Sequence, residues 1–134
     1  MTDDDLIALA MRYFTALDAR DSDALADTLA DDCVLKIETH HIRYDGKGAI
    51  CTLFESRWEV PPDLLVQARH HDFTHSPSPS SGRITSQFTV TYSGPDAPLP
   101  KSNANVFSMQ GGKITSISVY MAGANSIKAG SAPR

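Results

Sequence analysis

The stretch Ser102–Met121, SNANVFSMQGGKITSISVYM, carries the clearest structural signal in the chain. Alternation outward from Phe107 puts Asn103, Asn105, Phe107 and Met109 on one face of a strand, with Ala104, Val106 and Ser108 on the other. Gly111-Gly112 is a two-residue turn signal, and Ile114, Thr115, Ile117, Val119 and Met121 carry a second β run. The stretch therefore predicts a hairpin. Two asparagines on the face that also holds Phe107 and Met109 are the unusual feature, because a buried amide without a partner costs about 1–3 kcal/mol. Asn103 and Asn105 are expected either to pin neighbouring elements by hydrogen bonds or to line a pocket that a ligand completes.

Further β patterns run upstream over Leu64–His75 and Arg83–Tyr92, and the hairpin supplies Lys101–Met109 and Ile114–Met121. The segments Ser76–Gly82 and Gly94–Pro100, rich in Pro, Ser and Gly, read as turns or loops between strands. The N-terminal half reads differently. Thr2 precedes Asp3-Asp4-Asp5, which suit the positive end of a helix dipole, and Leu6, Leu9, Ala10, Tyr13, Phe14 and Leu17 recur at helical spacing. Asp18-Ala19-Arg20-Asp21 breaks that helix. Ser22 is placed to cap a second one with Leu25, Ala26 and Leu29 inward, closed by Ala30-Asp31-Asp32. Cys33–Ile37 reads as a strand and Ile42-Arg43-Tyr44 as a short one. Asp45 is placed to cap a third helix striped by Ile50, Leu53, Phe54 and Trp58 and ended by Pro61-Pro62. The expected architecture is α+β: three N-terminal helices packed on the concave face of a strongly curved, mostly antiparallel sheet. Residues 1–125 are expected to form one domain, with 126–134 as a small, polar, poorly ordered tail.

Bulk properties narrow the function. A chain of 134 residues with 41% hydrophobic content is long enough for one core without staples. Twelve Lys and Arg are scattered, and the net charge is -4, which argues against nucleic acid or an anionic membrane as partner. Cys33 and Cys51 form no CxxC pair and are expected to be reduced core thiols. An acidic start and the lack of a long apolar run point to a cytoplasmic protein.

Several local strings, in this order, resemble the nuclear transport factor 2-like superfamily and its SnoaL-like members. They are Arg12-Tyr13-Phe14-Thr15-Ala16-Leu17-Asp18-Ala19-Arg20-Asp21, Leu29-Ala30-Asp31-Asp32, Gly46-Lys47-Gly48-Ala49-Ile50, and Gly112-Lys113-Ile114-Thr115-Ser116 through Asn125. The resemblance implies a conical α+β barrel with an apolar pocket between helices and sheet, often in a homodimer packed through the outer sheet face. It leaves the activity open, because one fold hosts many chemistries. Compared with ketosteroid isomerase, Tyr13 stands where a helix-one tyrosine donates to an oxyanion. Ile37 stands at the position of the base, and Asn105 at that of the protonated acid. An amide still donates a hydrogen bond, but isoleucine moves no proton. Limonene epoxide hydrolase-like members carry an Arg-x-Asp arrangement on a late strand, which Asn103-Ala104-Asn105 does not reproduce.

Any base must then come from elsewhere. Arg69-His70-His71-Asp72 lies on a strand pattern, so only one of His70 and His71 faces inward, either as a satisfied core histidine or as an acid or base. His40-His41 is too little for a metal site. The expected ligand-facing set is Tyr13, Asn103, Asn105, Ile37, Phe54, Trp58, Phe88, Val90, Ile117, Val119 and Met121, around a small apolar, oxygen-bearing molecule, with no metal and no cofactor. The alternative is a non-catalytic binding or dimerisation module whose interior is filled by its own side chains, with Thr85, Gln87, Thr89 and Thr91 on an outer surface. A cavity of several hundred Å3 reaching Tyr13 and Asn105 would favour the first reading, and a collapsed interior the second.

Overall fold

The structure, a computed structural model, describes residues 1–127. Three helices, α1 (Asp3–Ala19), α2 (Ser22–Thr28) and α3 (Lys47–Trp58), pack on one sheet. Its strands are β1 (Leu29–Ile37), β2 (Ile42–Asp45), β3 (Gln67–Ser78), β4 (Arg83–Ser93), β5 (Lys101–Gln110) and β6 (Lys113–Tyr120). The six strands run in the order β2-β1-β6-β5-β4-β3. Every pairing is antiparallel except β1 with β6. The expected four-strand meander is therefore present as β3 to β6, and the β1–β2 hairpin extends it beyond β6.

Local chemistry explains the helix ends. Thr2 caps α1 reciprocally: its hydroxyl accepts from the Asp5 amide at 3.1 Å, and the Asp5 carboxylate accepts from the Thr2 amide at 2.9 Å. These two bonds hold the Asp5 carboxyl below its ordinary pKa. Two expected caps are replaced. Asp21, not Ser22, caps α2 by accepting from the Ala24 amide at 3.0 Å, while the Ser22 hydroxyl donates to Glu55 on α3. Gly46, not Asp45, precedes α3, and the Asp45 carboxylate instead accepts from Arg43.

Strand boundaries moved for similar physical reasons. The sequence Ala30-Asp31-Asp32 does not close α2 but opens β1, where an irregularity between Leu29 and Val34 leaves both aspartates exposed. Ser76-Pro77-Ser78 belongs to β3 rather than to the loop, and a proline is tolerated there because β3 is an edge strand. Gly111 and Gly112 form the β5–β6 turn with φ of 60° and 77°, a conformation that glycine adopts without a Cβ clash.

Two bulges reset which residues face inward. In β6, Thr115 is extra: Ile114 pairs with Met109 and Ser116 with Ser108, and the Thr115 hydroxyl donates to the Ser108 carbonyl. Ile114 and Ile117 are thereby both fully buried despite their odd spacing. In β3 the register shifts between His71 and Thr74, and Asp72 takes φ of 55°. His70, Phe73 and His75 consequently lie on one face, their rings contacting Phe14, Phe88 or each other.

The core joins Leu6, Leu9, Ala10, Tyr13 and Phe14 of α1 to Leu35, Ile37, Phe88, Val90, Phe107, Ile117 and Val119 of the sheet. Phe14 is its hub, with ring centroids 4.8–5.8 Å from those of Tyr13, His70, Phe73, Phe88 and Phe107. Cys33 and Cys51 are free and buried, as expected, and burial pushes the Cys33 thiol up to about 12.

The tail expectation divides in two. Residues 128–134 lie outside the described residues, but Asn125 and Ser126 are buried and Ser126 lies against Met121. The segment entering the tail therefore covers part of the core.

Candidate functional site

A cavity of about 60 Å3 lies where α1, α3, β3, β4 and β5 converge. Its wall brings together Tyr13, Phe54, Trp58, Phe88, Val90, Asn103, Asn105 and Val119 from the expected set, together with His70. Ile37, Ile117 and Met121 do not reach it: each is 5% exposed or less within the packed core. The cavity is also much smaller than the several hundred Å3 expected. Arg57, Trp58, Tyr92, Ser126 and Ile127 occupy the space, and a simple apolar hole that holds benzene measures about 150 Å3.

The pairing of β3 with β4 settles the orientation of the two histidines, since His70 lies opposite buried Val90 and His71 opposite Thr89. His71 faces the outer side of the sheet, where its Nε2 is hydrogen-bonded to the Thr91 hydroxyl and its Nδ1 lies 3.0 Å from Asp72. His70 faces the cavity and is tied to Asp18, at the end of α1, by an Nδ1 to Oδ1 distance of 2.6 Å. The same carboxylate accepts from the His70 backbone amide at 3.1 Å. The carboxylate contact at Nδ1, together with the backbone hydrogen bond, fixes the orientation of the ring. The ring is also held between Phe14 and Phe88, with centroids 5.2 and 5.3 Å away. The imidazole is thus held in one orientation on the cavity wall.

The polar groups opposite are neutral donors or one cation. Tyr13 is 1% exposed, and burial pushes its phenol well above the ordinary range, so it stays protonated as a donor. Asn103 turns its side-chain oxygen to the Ala122 amide at 3.0 Å, so it pins the segment after β6. Asn105 is 4% exposed and its Oδ1 has no hydrogen-bond partner among the described residues. The opening question about these two amides thus has two answers, a pin at Asn103 and an unsatisfied pocket group at Asn105.

Arg57 is the functional-type residue that sequence reading passed over. It is 8% exposed, its Nε has no partner among the described residues, and its guanidinium lies 5.8 Å from the Phe54 ring centroid. Burial pulls its pKa down to about 10, with Tyr92 and Tyr13 acting in the opposite direction, and it is still charged at neutral pH. The signal was present in the helical period: the stripe Ile50, Leu53, Phe54 continues at Arg57, one residue before the half-buried Trp58. Nothing local marks Asp18, whereas Tyr92 continues the inward alternation of Phe88 and Val90. Among the described residues no group of three His, Cys, Asp or Glu side chains could hold a metal, and no helix is long and apolar enough to cross a membrane.

Comparisons with known proteins follow this geometry. The model of the SnoaL-like domain matches residues 10–117. A search of curated proteins finds no match. Among solved structures, a candidate polyketide cyclase from Xanthomonas campestris pv. campestris superposes with a TM-score of 0.74 at 18% identity, covering 88% of this chain and 90% of its own. A candidate ketosteroid isomerase from Kribbella flavida gives 0.69 at 18% identity, with 91% and 81% coverage. An LEH-like epoxide hydrolase of M. tuberculosis gives 0.70 at 19% identity, with 90% and 84% coverage. At these identities the structures establish a shared fold, and their different names fit a scaffold that hosts several chemistries. The family match over most of the chain and the three-helix, six-stranded curved architecture place this protein in the SnoaL-like family of the nuclear transport factor 2-like superfamily.

Proposed function

We propose that this protein binds a small, oxygen-bearing organic molecule in the cavity beside Tyr13 and Asn105, and that His70 moves a proton on it. The observation that carries this reading is the Asp18–His70 pair at 2.6 Å on the wall of a cavity that also holds protonated Tyr13 and the unsatisfied Asn105. Asp18 would orient the ring, Nε2 would take a proton from carbon and return it, and Tyr13 with Asn105 would donate to the oxygen on which charge develops. The reaction class is cofactor-independent isomerisation, dehydration or cyclisation. A cytoplasmic location and a homodimer through the outer sheet face belong to the same reading.

Native mass spectrometry of freshly purified protein tests the ligand, and substitution tests the roles. His70→Ala and Asp18→Asn should each abolish or sharply reduce turnover of the molecule recovered, and Tyr13→Phe and Asn105→Leu should weaken its binding. If no ligand co-purifies and none of the four variants alters binding or turnover of any screened compound, the proposed site is wrong.

A second reading is favoured by one observation, the cavity volume of about 60 Å3. An interior filled this far by its own side chains suits a non-catalytic assembly module that works through its outer sheet. That face carries Thr85, Gln87, Thr89 and Thr91 and an open depression reaching Asp72, Thr74, Ser102 and Tyr120. Disrupting oligomers with Gln87→Arg while leaving ligand binding unaffected would separate the two.

A further inference from the structure

We propose that the molecule taken by this cavity is a small organic carboxylate, and that Arg57 is the side chain that binds its anionic group. The inference rests on the reading of the cavity as a ligand site and adds the ligand's charge and size. Arg57 projects from the inner face of α3 into the cavity wall and is 8% exposed. Among the described residues it forms no ion pair with a carboxylate, and its buried Nε donor has no partner. A cation removed from water and left without a counter-charge is far more costly than an unsatisfied neutral group. Proteins retain such a group where something outside the chain completes it.

The neighbouring acids are already engaged. Asp18, which shares an adjoining crevice with Arg57, is bound to the ring and amide of His70, and Glu55 accepts from the Ser22 hydroxyl. The missing charge must therefore arrive with a ligand. The Asn105 Oδ1 on the same wall, also buried and without a partner among the described residues, is an acceptor that calls for a donor rather than for the anion. A purely hydrocarbon ligand would leave the guanidinium without a counter-charge.

The chemistry narrows the anion further. A guanidinium offers parallel donors that match the two oxygens of a carboxylate. A phosphate would call for more charge or an array of backbone amides. Among the described residues of the wall Arg57 is the only Lys or Arg, and the rest are mainly aromatic or aliphatic. The volume of about 60 Å3 favours a short acid, with longer ones requiring Ser126 and Ile127 to move aside.

The test is calorimetric and thermal-shift titration of the full chain with two isosteric pairs, crotonate against crotonamide and benzoate against benzamide. The wild type should bind at least one carboxylate about ten-fold more tightly than its amide. Arg57→Met should bring that ratio to about one, and Arg57→Lys should keep part of it. The ligand-free melting temperature of Arg57→Met should be unchanged or higher, because an uncompensated buried cation has been removed. Equal affinity of acid and amide in the wild type would overturn the carboxylate while leaving the ligand site standing. Absence of binding by all four compounds up to about 10 mM would overturn both readings. A ratio unchanged in Arg57→Met, with a lowered ligand-free melting temperature, would make Arg57 a structural residue.

Discussion

The wall of β1 and the wall of β3 face the same interior but are built from opposite chemistry. Cys33, Leu35 and Ile37 on β1 are all fully buried and apolar, whereas β3 presents His70, Phe73 and His75, each half-buried and two of them titratable. The position at which the ketosteroid isomerase resemblance looks for a base is sealed by Ile37. The imidazole on β3 has a carboxylate behind it and a cavity in front. The difference teaches that stability and polar chemistry are segregated in this fold. A central strand of the sheet supplies the dry core, and an edge strand with a bulge carries the polar and titratable groups.

The comparison can be broken from either side. The largest effect is expected on the β1 wall: Leu35→Ala should cost about 2–5 kcal/mol, read by urea unfolding, because a fully buried leucine leaves a cavity that the sheet cannot close. A cost below about 1 kcal/mol would mean that this wall is as plastic as the other. On the β3 side, Asp18→Asn should cost only about 1–2 kcal/mol, since an amide oxygen still accepts from the His70 backbone. Under the proposed function its effect on turnover should be much larger than its effect on stability, because the ring loses the carboxylate that holds its Nδ1.

Smaller changes sharpen the distinction. Ile127→Ala should cost about 1 kcal/mol or less, because the side chain is half-buried, and should strengthen binding of the larger probe benzoate relative to crotonate. Unchanged selectivity would show that the terminal segment does not limit the cavity. The smallest expected effect concerns His75, whose pKa burial lowers below its ordinary value. The unfolded chain then binds the proton more readily than the folded one. Its contribution is fully present above the unfolded pKa of about 6.5 and declines as pH falls below it. Melting temperatures measured between pH 7 and pH 5 should fall less steeply in His75→Gln than in the wild type.

Periodicity made most of this legible. The helical spacing of Leu6, Leu9, Tyr13 and Phe14, the alternation of Phe88, Val90 and Tyr92, and the two-glycine turn each encode a local preference and a buried face at once. Arg57 was equally legible, since it continues the α3 stripe, but a cation at a core position runs against the usual pattern and was passed over for Trp58. The caps at Asp21 and Gly46 were missed by one residue, the range over which several polar side chains compete for the same amides.

What the sequence alone determined is therefore the element order, the curved α+β plan, the inward face of each regular segment and the family. All of these follow from short-range spacing and from strings that survive without contacts. What only the tertiary structure decided is how those faces meet. Pairing of His70 with Val90 and of His71 with Thr89 turned the first inward and the second outward. One extra residue at the β3 bulge then brought Phe73 and His75 to the same face as His70, and the fold brought Asp18 to His70 from 52 positions away. Ser126 and Ile127 came to line the cavity of about 60 Å3. Bulge register and long-range pairing depend on how the whole chain closes, so no local pattern carries them. For the same reason Asn103 and Asn105, alike in the sequence, end as a structural pin and an unsatisfied pocket group.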